Sequence, residues 1–209
     1  MKKVKTVVSA LSLSLVMLFT ACSGDSSVEF KRGSYDEAAK KYTTETFGFS
    51  VSFDDTWKVY NDSELAQLSG MTASTDEDFK KQLETEGVIF DLAASLTDAS
   101  KGTSVNITVE DLKVSGNSGL SEESYAEAAA DQVKEQFEAQ GAKVERAEKG
   151  KVTFAGKESA CVFFKVTQNG NTIYETQVPV KKGNYMATIT FASVDEKTVE
   201  ELIKKFSAV

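Results

Sequence analysis

KVERAEKGKVTFAGKESACVFFKVTQNGNTIYETQVPVKKGNYMATITFAS, residues 143–193, decides the fold. Its apolar residues recur with the period of extended chain over 143–154, 157–168, 171–181 and 184–193. Only Ala155-Gly156, Asn169-Gly170 and Lys182-Gly183 separate those runs. Connections that short can join only antiparallel neighbours. Asn-Gly adds its own signal, since both residues accept the positive φ of a type I′ hairpin turn. Four strands in a meander follow. Pro179 has no N–H to give to a ladder, so its strand is expected at a sheet edge or bulged at that point.

Upstream, Ser121 to Gln140 reads as the longest helix. Tyr125, Ala128/Ala129, Val133 and Phe137 make one apolar stripe, and Gly141 stands at the position after the last turn. Downstream, Asp195 can cap a final helix through Phe206 whose buried face is Val199, Leu202, Ile203 and Phe206. Val88–Leu96 and Thr103–Lys113 read as strands. Asn61 and Thr75 can cap helices ending near Leu68 and Glu86, with Gly87 as a stop. Phe47, Phe49, Val51 and Phe53 alternate with small polar residues, and Trp57–Tyr60 is extended. Tyr35–Tyr42 is expected to form a short helical turn. Strands and helices grouped this way predict an α+β domain in which helices pack on an antiparallel sheet.

The first 22 residues, MKKVKTVVSALSLSLVMLFTAC, have a different character. Lys2, Lys3 and Lys5 precede an apolar run from Val7 to Thr20, and small residues lead into Cys22. That run is too short and too serine-rich for a membrane span, which needs about 20 apolar residues. The ending resembles the bacterial lipobox, which implies a cysteine diacylated on sulfur that becomes the new N-terminus, with Phe19 where Leu is usual. Two acyl chains meet the requirement for stable anchoring. The expected organisation is a leader over 1–21, the lipidated Cys22 with a tether through 41, and one domain over 42–209. Anchoring is expected on the outer face of the cytoplasmic membrane. In a host with two membranes, Ser23 rather than Asp after the cysteine implies the outer membrane.

Loss of the leader takes three lysines from 24 Lys plus Arg, leaving 21 against 32 Asp plus Glu, so the net charge moves from −8 to −11. Such a chain does not favour nucleic acid or anionic headgroups, and the lipid on Cys22 must hold it to the membrane. Cys161 then has no intramolecular partner and reads as a small buried hydrophobe in Ala160–Phe164. Histidine is absent, which removes the usual general base, the commonest transition-metal ligand and every Ser-His or Cys-His pair.

Thr46-Phe-Gly-Phe-Ser-Val-Ser-Phe-Asp-Asp-Thr-Trp57 resembles the opening strand of PsbP-like domains, without the proline usual before the Trp. The long helix, the meander, Tyr185–Phe191 and the closing amphipathic helix extend that resemblance over residues 42–207. It implies six or seven antiparallel strands in one sheet with helices on both faces. It transfers no site residue.

Acidic clusters are the remaining candidates for chemistry: Asp54-Asp55, Asp76-Glu77-Asp78 and Glu110-Asp111. Hard cations take oxygen ligands, but turn chemistry and the helix dipole account for the same residues. Trp57 with Tyr60 could offer an aromatic platform or simply fill the core. No catalytic, cofactor or metal residue is assigned. The sequence therefore predicts a non-enzymatic envelope module with an envelope protein as partner, the alternative being a small-ligand or divalent-cation binder using acidic loops. Cys22→Ser should abolish the lipid-modified mature form and stable membrane fractionation; a variant that stays in the membrane pellet would overturn the lipobox reading.

Overall fold

A computed structural model describes residues 28–209, so Cys22 and the leader lie outside the described residues. The predicted meander forms as read: β7 Lys143–Phe154, β8 Lys157–Gln168, β9 Asn171–Lys182 and β10 Tyr185–Ser193 are consecutive antiparallel neighbours. Beside β10 lie β6 Ser104–Asp111, β5 Val88–Leu96 and the short β4 Trp57–Val59. The result is a seven-stranded antiparallel sheet in the order β4-β5-β6-β10-β9-β8-β7.

Strand alternation divides its two faces. Ala160, Val162, Phe164, Val166 and Met186 pack under α3 Glu122–Ala139, whose stripe of Tyr125, Ala129, Val133 and Phe137 is buried as predicted. The intervening residues, among them Cys161, Ala187, Ile189 and Phe191, face a larger core beneath α1 Asp62–Leu68, α2 Asp76–Glu86 and α4 Glu196–Lys204. Local chemistry sets the helix starts. Asn61 and Thr75 close capping boxes with Glu64 and Asp78, while Gly87 ends α2 in the left-handed conformation.

Pro179 sits in an interior strand, yet its backbone constraint is met. β8 pairs with β9 only as far as Val162 opposite Gln177, so beyond that point β9 has a ladder partner on β10 alone. The next outward N–H, from Lys181, donates to the Glu122 carboxylate at 2.7 Å. The proline thus occupies a local edge inside the sheet.

Three features depart from the sequence reading. The Phe47–Phe53 run does not join the main sheet. As β3 Phe49–Ser52 it enters a second sheet with β1 Ser34–Asp36, β2 Lys41–Thr44 and β11 Ser207–Ala208, in the order β1-β2-β3-β11. Its aromatic rings need cover on the inner side: Phe49 stacks with Phe154 and Phe206 at centroid distances of 5.1 and 5.8 Å. Tyr35–Tyr42 is a hairpin rather than a helical turn, with Tyr35 opposite Tyr42 and Lys40 at φ +50° in the turn.

The third departure concerns the tether expected through residue 41. From Phe30 onward the chain is part of the domain. Arg32 keeps only 9% of its side chain exposed. Its guanidinium lies 3.7 Å from the Phe79 ring centroid and bridges Asp76 at 2.7 Å and Asp62 at 2.9 Å, with Nε 3.5 Å from buried Asp91. Burial opposes the charge, but hydrogen bonding to Asp62 and the charges of Asp91, Asp62 and Asp76 outweigh it and hold the Arg32 pKa above its ordinary value. A polar, Gly/Ser-containing stretch carries no periodic signal for such a contact, so the local pattern could not reveal it.

Arg32→Ala leaves Asp91 buried beside a missing cation, a defect that costs about 3–5 kcal/mol. Thermal unfolding should move down by roughly 10 °C for a domain this size, and proteolysis should begin near residues 30–36. An unchanged midpoint would refute the latch.

Candidate functional site

A cavity of about 440 Å³ opens between α4 and the β7–β9 part of the sheet, within the size range of small-ligand pockets. It exists because the β7–β8 hairpin leaves β9 after Gln177 and α4 crosses the gap. Val152, Phe163 and Tyr174 form its half-buried floor, and Val199, Ile203 and Phe206 form the helix-side wall.

Gly150 is required for that floor. A Cβ there would stand 2.6 Å from Cε2 of Phe163, whose ring lies across β7 in the space a side chain would occupy. A glycine inside a strand often marks such a close approach. Arg146 lies over the same ring, its guanidinium carbon 5.3 Å from the centroid. Its Nη2 donates to Oε1 of Glu196 on α4 at 2.6 Å, while Nε is buried with no acceptor. Lys151, Glu200 and Lys204 stand at the rim, with Lys151 paired to Glu158 at 2.5 Å.

Arg146 reaches this face through a bulge. Pairing shifts between Val144 and Arg146, so Val144 opposes Val166 and Arg146 opposes Lys165. Plain alternation would place residues 144 and 146 on one face, but the extra residue sends Val144 under α3 and Arg146 towards α4. Nothing in the local sequence announces that shift, which is why Arg146, Phe163 and Glu196 were not among the sequence candidates. Gly150 inside a strand pattern was the one available signal.

Glu175 is also among the residues that border the cavity. It opposes Phe164, so its carboxyl points to the α3 face. There Gln177 Nε2 donates to Oε1 at 2.7 Å, and Oε2 is buried without a partner. Burial raises this carboxyl to about 7, against the opposing effect of the Gln177 hydrogen bond.

The sequence candidates have structural occupations. Asp54 accepts from the Thr56 N–H and hydroxyl, and Asp55 pairs with Lys40. Asp76 bridges Arg32 and Asp78 serves the Thr75 capping box. Glu110 is buried, accepting from Tyr125 Oη at 2.8 Å and Asn117 Nδ2 at 3.1 Å, while Asp111 accepts from the Lys113 N–H. Trp57 packs on Phe53, centroids 5.3 Å apart, in the core. Cys161 is fully buried, and burial pushes its thiol up to about 11 despite a hydrogen bond from the Gly150 backbone. No group of three or more His, Cys, Asp or Glu able to hold a metal ion occurs among the described residues. No helix among them is long and apolar enough to cross a membrane.

Neither a protein-family model nor a curated protein sequence matches the chain. Solved structures do. The structure is similar to the solution structure of cyanobacterial PsbP (CyanoP) from Synechocystis sp. PCC 6803, with a TM-score of 0.46 and 10% identity over 90% of this chain and 98% of that one. It is also similar to a crystal structure from Bacteroides thetaiotaomicron VPI-5482, with a TM-score of 0.40 and 14% identity over 82% of this chain and 48% of that one. A third similar structure is LpqN of Mycobacterium tuberculosis, described as involved in cell envelope biogenesis, with a TM-score of 0.40 and 8% identity over 76% of this chain and 82% of that one. No activity is carried over from these structures.

Glu175 provides a pH test of this region. Its folded pKa of about 7 exceeds the ordinary 4.5, so the native state holds the proton more tightly than the unfolded chain. The resulting stabilisation is complete below about pH 4.5 and is lost as pH rises through about 7. Between pH 5 and 8, Glu175→Gln should flatten the decline in unfolding free energy, and at pH 8 should be the more stable by at most about 3 kcal/mol. Parallel pH profiles for the two proteins, measured by urea unfolding, would refute the assignment.

Proposed function

We propose that this chain is a membrane-anchored, non-enzymatic binding module of the cell envelope that takes a small ligand in the groove between α4 and the β7–β9 face. The groove itself carries the reading: a half-buried aromatic floor with an unpartnered polar donor at one end is the usual form of a recognition site. Its lining includes no His, Cys, Ser or Asp, and its only hydroxyls are those of Thr153, Thr176 and Tyr174. None of these hydroxyls is hydrogen-bonded to a Glu or Lys of the lining, so no oriented nucleophile–base pair supports a catalytic reading. Among the described residues the acidic clusters are occupied in caps, turns and ion pairs, so the small-ligand branch is favoured over a cation site. Anchoring rests on the lipobox-like run that ends at Cys22.

A photo-crosslinker on an introduced cysteine tests the placement in living cells. Cys161 is buried and Cys22 is the acylation residue, so Lys204→Cys at the groove rim should label selectively. Lys134→Cys, on the exposed side of α3, is the matched control. Mass spectrometry should find envelope-derived adducts at least several-fold enriched at position 204. Equal adduct levels at both positions would overturn the groove as the binding face.

A further inference from the structure

We infer that the groove selects a single-chain amphiphile ending in a carboxylate. The inference rests on the groove reading above and names its ligand class. The site has two chemically distinct parts. Val152, Phe163, Tyr174, Val199, Ile203 and Phe206 offer no hydrogen bond from their apolar surfaces and suit a flexible hydrocarbon body. Arg146 supplies the polar end.

Arg146 determines the sign of the headgroup. Its guanidinium is already oriented by two contacts, Nη2 to Glu196 at 2.6 Å and the stack on Phe163. The hydrogen-bonding capacity still unmet there is all donor: Nε–H is buried without an acceptor, and no protein acceptor meets Nη1 on a side chain that is 30% exposed. A buried donor is satisfied only by an acceptor, and a planar carboxylate matches a guanidinium edge better than a hydroxyl or an amine does. Of the carboxylates that line the cavity, Glu196 is committed to Arg146 and Glu175 is turned to the opposite face. Lys204 and Lys151 add positive charge at the rim, against Glu200. With Arg146 paired to Glu196 and Lys151 to Glu158, the groove is close to neutral, so its preference rests on the unmet guanidinium donor rather than on net charge. A free amine or quaternary headgroup would meet Arg146 with like charge.

Calorimetric titration of the full chain with sodium dodecanoate below its micelle concentration tests this directly. Saturable one-to-one binding is expected, and Arg146→Gln should weaken it at least tenfold. Arg146→Lys keeps the charge but loses the planar fork and should lie between the two. Matched thermal melts would exclude unfolding of the variants; a melt lowered by Arg146→Gln alone leaves Arg146→Lys to decide. Dodecanol should bind at least tenfold more weakly than dodecanoate and be indifferent to Arg146. If dodecyltrimethylammonium or dodecyl phosphate binds as tightly as dodecanoate, the carboxylate assignment falls while the groove reading stands. If no twelve-carbon amphiphile binds saturably, or if all bind regardless of Arg146 and Val152→Trp, both readings fall.

Discussion

A single buried carboxylate organises the half of the molecule that lies outside the meander. Asp91 sits at the irregular step of β5 between Phe90 and Leu92, where the ladder to β6 loses register. A bulge leaves one residue outside the regular pairing, free to turn its side chain elsewhere. Here the Tyr42 hydroxyl donates to Asp91 at 2.5 Å and the Gly33 N–H donates to both oxygens at 3.0 and 3.2 Å, with Arg32 beyond. Burial pushes Asp91 above the usual carboxylate pKa, against the pull of these donors. The two sheets, the N-terminal segment and the starts of α1 and α2 therefore meet at one charge. Gly33 is forced by the same contact, since a Cβ there would stand 2.2 Å from the Tyr42 hydroxyl.

The groove depends on the opposite circumstance, a place where packing is incomplete. Phe154 closes the core at the hairpin tip by stacking on Phe49, Phe191 and Phe206. That cluster holds the end of the β7–β8 ribbon against the small sheet, while α4 is held over β9 and β10 by Val199, Leu202 and Ile203. Between the two anchor points the ribbon, the helix and β9 cannot all meet. Phe163 covers part of that gap only because Gly150 has no side chain.

Short-range chemistry made most of the fold legible. Hairpin pairs such as Asn169-Gly170 and cap residues such as Asn61, Thr75, Ser121 and Asp195 act over two to four positions, and the strands and helices they bound appear where the pattern places them. The features that eluded the sequence are all long-range. The pairing of β3 with the last residues of the chain joins Phe49 to Ala208. The bulge before Arg146 changes a face without changing the composition, and Arg32 meets its partners from 30 to 59 positions away. A charge in a stretch rich in Gly and Ser cannot announce such distant partners.

The Arg32 contact also sets a height. With Phe30 and Arg32 locked into the domain, eight peptide steps separate Cys22 from Phe30, and fully extended chain covers at most about 3.5 Å per step. A lipid at Cys22 would therefore hold the domain within roughly 30 Å of the bilayer surface, a gap smaller than the domain's own width. A tether free through residue 41 would let the domain swing more than twice as far. Were Cys22 lipidated, so short a stem would keep the groove among molecules leaving or entering the membrane and away from those dispersed in the bulk outside.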